Sequence, residues 1–519
     1  MSSNSRDRRE FLKTGAASLA SVALFGRAGM TQAAELGPHV ELIEITITEL
    51  QAQMKSGKVT ARRLVENYLE RIKEIDSKTR SVIETNPDAL AIADRLDRER
   101  KRGKIRSQLH GIPVLIKDNI DTADKMQTTA GSLALVDAAK PKNDAFVVQQ
   151  LRKAGAVILG KTNLSEWANF RGNRSISGWS GRGGQTNNPY FLDQNPCGSS
   201  SGSGVAASAN LAAAAVGTET NGSIICPANS NGVVGIKPTL GLISRTGIIP
   251  IAHTQDTAGP MARTVTDAAI LLQAMIGFDK LDPITADAKK AAKDLRKFLD
   301  PNGLRGARLG VVMQYAPQQN ADKWKAFYQP FIDKLRDAGA VLVDVTFPTA
   351  QVAADRTNVL LYEFKAGLNK YLAARGAKYK TLEDLIKFNE ENKEKELPLF
   401  GQELFTQAQE KGGLADQPYL DSLAKIKKAA REDGIDMLLK KDKLDALVGP
   451  TTGQAWSIPA VAGYPSLTVP VGLRDNTPAG MLFFGRAFSD AQLIQYAYAF
   501  EQATKARVTP QFIAKKPAS

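Results

Sequence analysis

Two segments far apart in the chain follow one pattern. DAFVVQQLRKAGAVILGKTN (144–163) and FIDKLRDAGAVLVDVTFP (331–348) each begin as an amphipathic helix, stop at a glycine and continue as an apolar strand. The same alternation extends through the chain. TARRLVENYLERIKEID sets Leu64, Val65, Tyr68, Leu69 and Ile72 on one helical stripe behind an N-cap at Thr60. HGIPVLIKDNID predicts a short buried strand over Ile112–Ile116 with Lys117 at its end. LGVVM (309–313) and DALVGPTT (445–452) add further strands. Strands separated by helices predict an α/β fold: a central mixed, mostly parallel, twisted sheet covered by helices on both faces. A boundary near 262–300 is conceivable in 519 residues, but residues 35–519 read as a single intertwined domain.

Composition narrows the classes of function. Lys+Arg 68 against Asp+Glu 54 gives a net charge of +14, yet the cations are interspersed with acids along amphipathic segments. Without zinc-finger spacing, an RNA-binding signature or a basic stripe interleaved with aromatics, this reads as a solvated basic surface, with no nucleic-acid partner. Two cysteines, Cys197 and Cys226, rule out a disulfide framework or a cysteine-rich zinc site, and no metal ligand set is expected. The three histidines, His39, His110 and His253, all lie outside the serine-rich segment described below.

The first residues read as an address. Arg8 and Arg9 precede Phe11, Leu12 and Lys13, then a mildly apolar run from Ala16 to Phe25 and small residues around Thr31–Ala34. This resembles a twin-arginine export signal over residues 1–34, cleaved to leave a periplasmic or secreted protein. The run is too short and too rich in Gly, Ser and Ala to span about 30 Å of hydrocarbon, so no stable membrane insertion is expected after its removal.

The stretch CGSSSGSGVAASANLAAAAVGTETNGSIICPAN (197–229) concentrates hydroxyls around both cysteines. Gly/Ser runs are commonly linkers. This one flows into VAASANLAAAAVGTE, which predicts an Ala-rich helix so poor in charge that it must be buried, and a linker does not end in a core helix. The GxxxxGK[ST] pattern of a phosphate loop is absent. A nucleophilic serine needs a base, and with no histidine close by that base is a distant one such as His110, or a lysine. Lys117, at the end of an apolar strand, loses solvation there, which disfavours its charged form.

In this order, IPVLIKDNI, the serine-glycine run, TETNGSIICPAN and GVVGIKPTLGLISRTGIIP resemble the amidase signature family of serine hydrolases, as do the blocks GKTNLSEWANFRGNRSISGWS and AVAGYPSLTVP. From about Leu42 onward the chain is similar to its bacterial peptide amidase branch, which removes the carboxamide from amidated peptide C-termini. The resemblance implies the amidase-signature fold and no cofactor. It assigns Lys117 as base, Ser199 as bridging serine and Ser223 as nucleophile, with an oxyanion hole at Thr220, Asn221 and Gly222. It also implies a non-proline cis peptide at the bridging serine, and places Arg174 and Ser175 beside the substrate, with Arg174 a candidate for attracting an acidic group. Ser200, Ser201 and Ser203 are left to cap the helix. The implied substrate is a small-molecule or peptide amide, without an obligate protein partner. A glutaminase subunit of a tRNA-dependent amidotransferase is the alternative within the family, and a periplasmic solute-binding protein the alternative outside it. Cys197 and Cys226 flank the two serines and are expected as buried free thiols, since folding in a reducing cytoplasm would precede export.

Overall fold

The computed structural model describes residues 41–315, 320–348, 352–376 and 378–517, so the expected export signal lies outside the described residues. The strands, in chain order, are β1 (Val82–Thr85), β2 (Pro113–Lys117), β3 (Val157–Thr162), β4 (Trp179–Ser180), β5 (Gly184–Gln185), β6 (Ala214–Glu219), β7 (Val234–Lys237), β8 (Thr257–Ala262), β9 (Arg308–Val311), β10 (Val341–Asp344), β11 (Ala446–Pro450), β12 (Ser466–Arg474) and β13 (Thr477–Phe484). Among the described residues, eleven of them form one sheet in the order β1-β3-β2-β6-β8-β7-β12-β13-β11-β9-β10, and β4 and β5 pair separately.

The sheet is mixed. Parallel pairing joins β3, β2 and β6 on one side and β11, β9 and β10 on the other, and antiparallel pairs connect the two blocks through the centre. The parallel blocks hold the strands that follow the helix–glycine units. In the first, the helix Phe146–Ala154 ends on Gly155 in the left-handed region and the chain enters β3. Every residue of β2, β3, β6 and β8 is buried, so helices cover both faces there. Strands from either side of residues 262–300 join this one sheet, and the described residues form a single compact unit. Among the described residues, no helix is long and apolar enough to cross a membrane.

The Ala-rich segment departs from its predicted helix. A helix covers Ser201–Ser208, the chain turns at Asn210 (φ 59°), and Ala214–Glu219 form β6 between β2 and β8. Pairing with two strands overrides the helical preference of alanine, and the small Ala and Gly side chains suit a position enclosed on both faces. The serines at the start of this helix do not cap it. Ser200 Oγ donates to Thr218 O (3.0 Å) and Ser203 Oγ to Val216 O (3.0 Å), which ties the helix to β6, while Ser201 Oγ donates to Cys197 O (2.6 Å).

A group of helices that includes Ala353–Arg375 and Glu403–Gln409 is clamped to the segment 166–182 through a fully buried arginine. The Arg171 guanidinium donates to a Glu166 carboxylate oxygen and to the Glu396 and Phe400 carbonyls, and lies 4.1 Å from the centre of the Phe400 ring. Burial, and then the neighbouring Glu396, push the Glu166 carboxyl well above its ordinary pKa. The residue just before this segment reaches the serine-rich turn, where Ser165 N donates to Ser199 O (3.1 Å).

At Gly202, in the first turn of Ser201–Ser208, a Cβ would meet the backbone of Asn163 and Ser81. Gly202→Ala is therefore expected to destabilise the chain by about 3 kcal/mol, the upper end of typical overpacking costs. Thermal or denaturant unfolding of the purified variant measures this, and wild-type stability would show that the backbone there yields.

Candidate active site

Lys117 ends β2, with β3 and β6 parallel to it on either side, so its side chain leaves the sheet at a buried edge rather than into solvent. Its Nζ lies 2.8 Å from Ser199 Oγ, 2.9 Å from Thr218 Oγ1 and 3.4 Å from Thr218 O, and the residue is fully buried. Burial pulls its pKa down to about 7 from the usual lysine range, against the opposing pull of the Glu219 and Asp256 carboxylates.

The two serines stand on different turns, linked twice. Ser199 precedes the helix Ser201–Ser208, and the Gly198–Ser199 peptide bond is cis. Ser223 lies between β6 and the helix Ile225–Ser230. Ser200 N donates to Ser223 O (3.1 Å), and Cys197 and Cys226 form a disulfide with their Cα atoms 5.9 Å apart. The bridge overturns the expectation of free thiols. The fold brings the residue two before Ser199 beside the residue three after Ser223, so the thiols adjoin in space despite 29 residues of separation.

The turn Thr220–Ser223 is held from both ends. Glu219 Oε2 accepts from Ile224 N (2.8 Å) and Ile225 N (3.0 Å), which satisfies the first donors of the following helix. Thr220 Oγ1 donates to Asp256 Oδ1 (2.5 Å), whose other oxygen accepts from Ile251 N and Ala252 N (both 2.9 Å). Burial nevertheless pushes Asp256 up to about 6. The Asn221 side chain turns away to Ser457 Oγ (3.0 Å). Gly222 has φ 85°, and a Cβ there would strike the Trp456 indole, so both the backbone and the close approach require glycine. Among the described residues, the backbone N–H groups of Thr220, Asn221, Gly222 and Ser223 have no hydrogen-bond acceptor.

Ser199, Thr218, Thr220 and Ser223 line a cavity of about 550 Å³. Among the described residues, no hydrogen bond joins the Ser199 and Ser223 hydroxyls, although both open on this cavity. The Asn221 and Gly222 side-chain positions do not line it. Neither do Arg174 and Ser175: Arg174 is exposed, and Ser175 Oγ donates to Gly172 O (2.8 Å) within its own loop. That loop is drawn toward the helix Glu403–Gln409, where Asn173 N donates to Glu403 Oε2 (3.0 Å). His110, the distant candidate base, is engaged elsewhere, with Nε2 2.9 Å from Leu96 O.

Thr218, which sequence reasoning missed, receives both Lys117 Nζ and Asn119 Nδ2 (3.0 Å) on its hydroxyl. No spacing signals it. It comes into reach through the parallel register of Ile116 opposite Val216. The string GSSSG (198–202) spells a nucleophile-elbow pattern around Ser200, yet the Ser200 hydroxyl is fully buried and bonded to the Thr218 carbonyl and N–H, which leaves it no role in attack.

A buried amine beside a serine, a second serine at the same cavity and a row of unpaired N–H groups make up a serine-hydrolase constellation. The chain belongs to the amidase family, whose model matches residues 63–459. Native peptide amidase from Stenotrophomonas maltophilia superposes with a TM-score of 0.87 at 51% identity, over 90% of this chain and 99% of that one. A probable amidase of Arabidopsis thaliana is 43% identical over 95% of this chain and 96% of its own length. A glutamyl-tRNA(Gln) amidotransferase subunit of Thermoanaerobacter pseudethanolicus is 34% identical over 91% of this chain and 99% of its own. The chain is thus an amide-hydrolysing enzyme, which removes the solute-binding reading.

Cross-linking Cys197 to Cys226 restricts the unfolded chain by a loop of 29 residues, worth about 3–4 kcal/mol in the chain-entropy account. A Cys197→Ser/Cys226→Ser variant is expected to unfold at lower temperature, and wild-type protein treated with a thiol reductant should follow it. Identical melting curves for all three preparations would show that the bridge carries no stability.

Proposed function

We propose that this amidase hydrolyses carboxamides, with the C-terminal amides of peptides as first-choice substrates, through a Lys117–Ser199–Ser223 triad. The observation that carries the reading is the Lys117 amine, buried 2.8 Å from Ser199 Oγ with its pKa brought down to about 7. Half or more of such an amine is neutral at and above neutral pH, so it accepts the Ser199 proton while Ser199 takes the proton of Ser223. Ser223 Oγ bonds to the amide carbonyl carbon, and the oxygen that gains negative charge meets the free N–H groups of the Thr220–Ser223 turn. One such donor is worth about 3 kcal/mol in comparable sites. The C–N bond then breaks, the proton held by the relay goes to nitrogen, and ammonia leaves. Water attacks the acyl-Ser223 ester by the same relay and releases the carboxylic acid. The two hydroxyls draw together when the amide seats, as catalytic hydrogen bonds commonly tighten in the substrate complex.

Peptide amides are favoured by the 51% identity to a peptide amidase over nearly the whole of that chain. The glutaminase subunit of a tRNA-dependent amidotransferase is the second reading, supported by the 34% match to such a subunit. Ammonia release from amidated peptides and from free glutamine separates the two. Lys117→Ala and Ser223→Ala should each fold and lose at least about 10⁴-fold in kcat/KM. Because the active form of the base is the neutral one, kcat/KM of the wild type should climb with pH up to about 7 and level off above it. Retained turnover in Lys117→Ala, or a rate independent of pH between 5 and 8, would remove that lysine as the base.

Residues 1–34 act, on this reading, as a twin-arginine signal that delivers the enzyme to the periplasm. A Cys197–Cys226 bridge suits an oxidising compartment. Arg8→Lys/Arg9→Lys should hold the enzyme in the cytoplasm on cell fractionation, and unchanged export would refute the assignment.

A further inference from the structure

The cavity is far larger than the reaction alone requires. A carboxamide is a four-heavy-atom group once its carbon attachment is counted, whereas about 550 Å³ falls in the range, roughly 300–1,000 Å³, that takes whole drug-sized ligands. Most of the surface its wall exposes is apolar. Ile248, Ile249, Pro250 and Ile251 form one side, and the helix Ala353–Arg375 presents Gly367, Lys370, Tyr371 and Ala374 from the other. Their spacing of three, four and seven residues is that of a single helix face.

Two features of this wall bear on what the cavity admits. Gly367 sits within a helix interior, where glycine is a poor choice relative to alanine, and a Cβ there would come within 3.2 Å of Pro250 Cγ. The glycine keeps the helix and the Ile248–Ile251 wall close while adding no bulk to the space between them. At the mouth, Leu281 is 79% exposed, and Phe278 and Ile284 beside it in sequence are 57% and 37% exposed. Isolated exposed leucines are ordinary, but Leu281 lines the cavity and has two further exposed apolar side chains within three residues of it in sequence, which marks a surface suited to an apolar partner.

Two of the three basic side chains around the outer cavity are already committed. Arg245 Nε donates to Asp282 Oδ2 (2.8 Å) and its remaining nitrogens bond the other Asp282 oxygen and the His253 carbonyl. His253 Nδ1 faces the buried Glu363 carboxylate at 3.3 Å. Among the described residues, Lys370 is the one lining cation of this outer part with no hydrogen-bond or ion-pair partner, and it is exposed. Lys370 apart, a wall built this way offers an ionic group little and a hydrocarbon much.

We propose that the outer cavity is a subsite for a large apolar group on the amide substrate, an aromatic or branched aliphatic side chain on the residue that bears the carboxamide, with Gly367 holding the subsite open and Leu281 forming its lip. This rests on the reading that the carboxamide is presented to Ser223. It identifies a class of preferred substrate, amidated peptides ending in residues such as phenylalanine or leucine, and two specificity-determining positions outside the triad.

The test measures ammonia release from N-acetylglycinamide, N-acetyl-leucinamide and N-acetyl-phenylalaninamide by the wild type, Gly367→Leu and Leu281→Asp. For the wild type, kcat/KM should rise at least about tenfold from the glycinamide to the phenylalaninamide. Gly367→Leu should lower the phenylalaninamide-to-glycinamide ratio of kcat/KM by about tenfold, and Leu281→Asp by roughly threefold, as expected for partial loss of buried apolar area. Should Gly367→Leu fail to fold, the exposed Leu281→Asp position decides alone. A flat series in the wild type, or unchanged ratios in the variants, would overturn the subsite and leave the amidase reading intact. If no amide releases ammonia, the triad reading falls instead, and calorimetry on Ser223→Ala still judges the subsite. Binding of the phenylalaninamide at least about tenfold tighter than the glycinamide upholds it, and equal Kd values overturn it.

Discussion

An ammonium group in a dry interior must find a counter-charge or give up its proton, and the architecture around Lys117 is organised by that requirement. The nearest groups to Nζ are hydroxyls and a carbonyl rather than carboxylates, so nothing beside it holds the charge in place. Glu219 and Asp256 act from further away and only moderate the effect of burial. Both carboxylates are also occupied in shaping the turn that carries Ser223, so one pair of acidic residues sets the geometry of that turn and limits how far the Lys117 amine is neutralised.

The sheet makes this placement possible. β2 lies between two parallel neighbours, and parallel strands with both faces covered are a setting in which a polar side chain at a strand end remains away from water. β6, which follows the first serine and leads to the second, is one of those neighbours. A single pairing therefore brings the lysine, Thr218 and both serine-bearing turns to the same edge.

Much of this was legible before any coordinates. The helix–glycine–strand units marked the strands at 157–162 and 341–344, and the apolar run ending in Lys117 located the buried amine. The serine-rich motifs located Ser199 and Ser223. What the sequence concealed was decided by pairing at a distance. Ala214–Glu219 is helical by local preference and a strand by context, because two neighbours supply its hydrogen bonds. Thr218 acquired its role only once that strand existed. The cystine could not be read from spacing, since a separation of 29 residues says nothing about proximity. Arg174 matched a family block but not the cavity, because its loop is drawn outward toward Glu403.

The serine-bearing turns are joined by a covalent tie and by a main-chain hydrogen bond from Ser200 to Ser223. Both join the turn that carries Ser199 to the turn that carries Ser223. Small sliding movements between the layers of the fold would carry both turns along together, so the relative placement of the Ser199 and Ser223 turns is maintained locally and tolerates breathing elsewhere in the molecule.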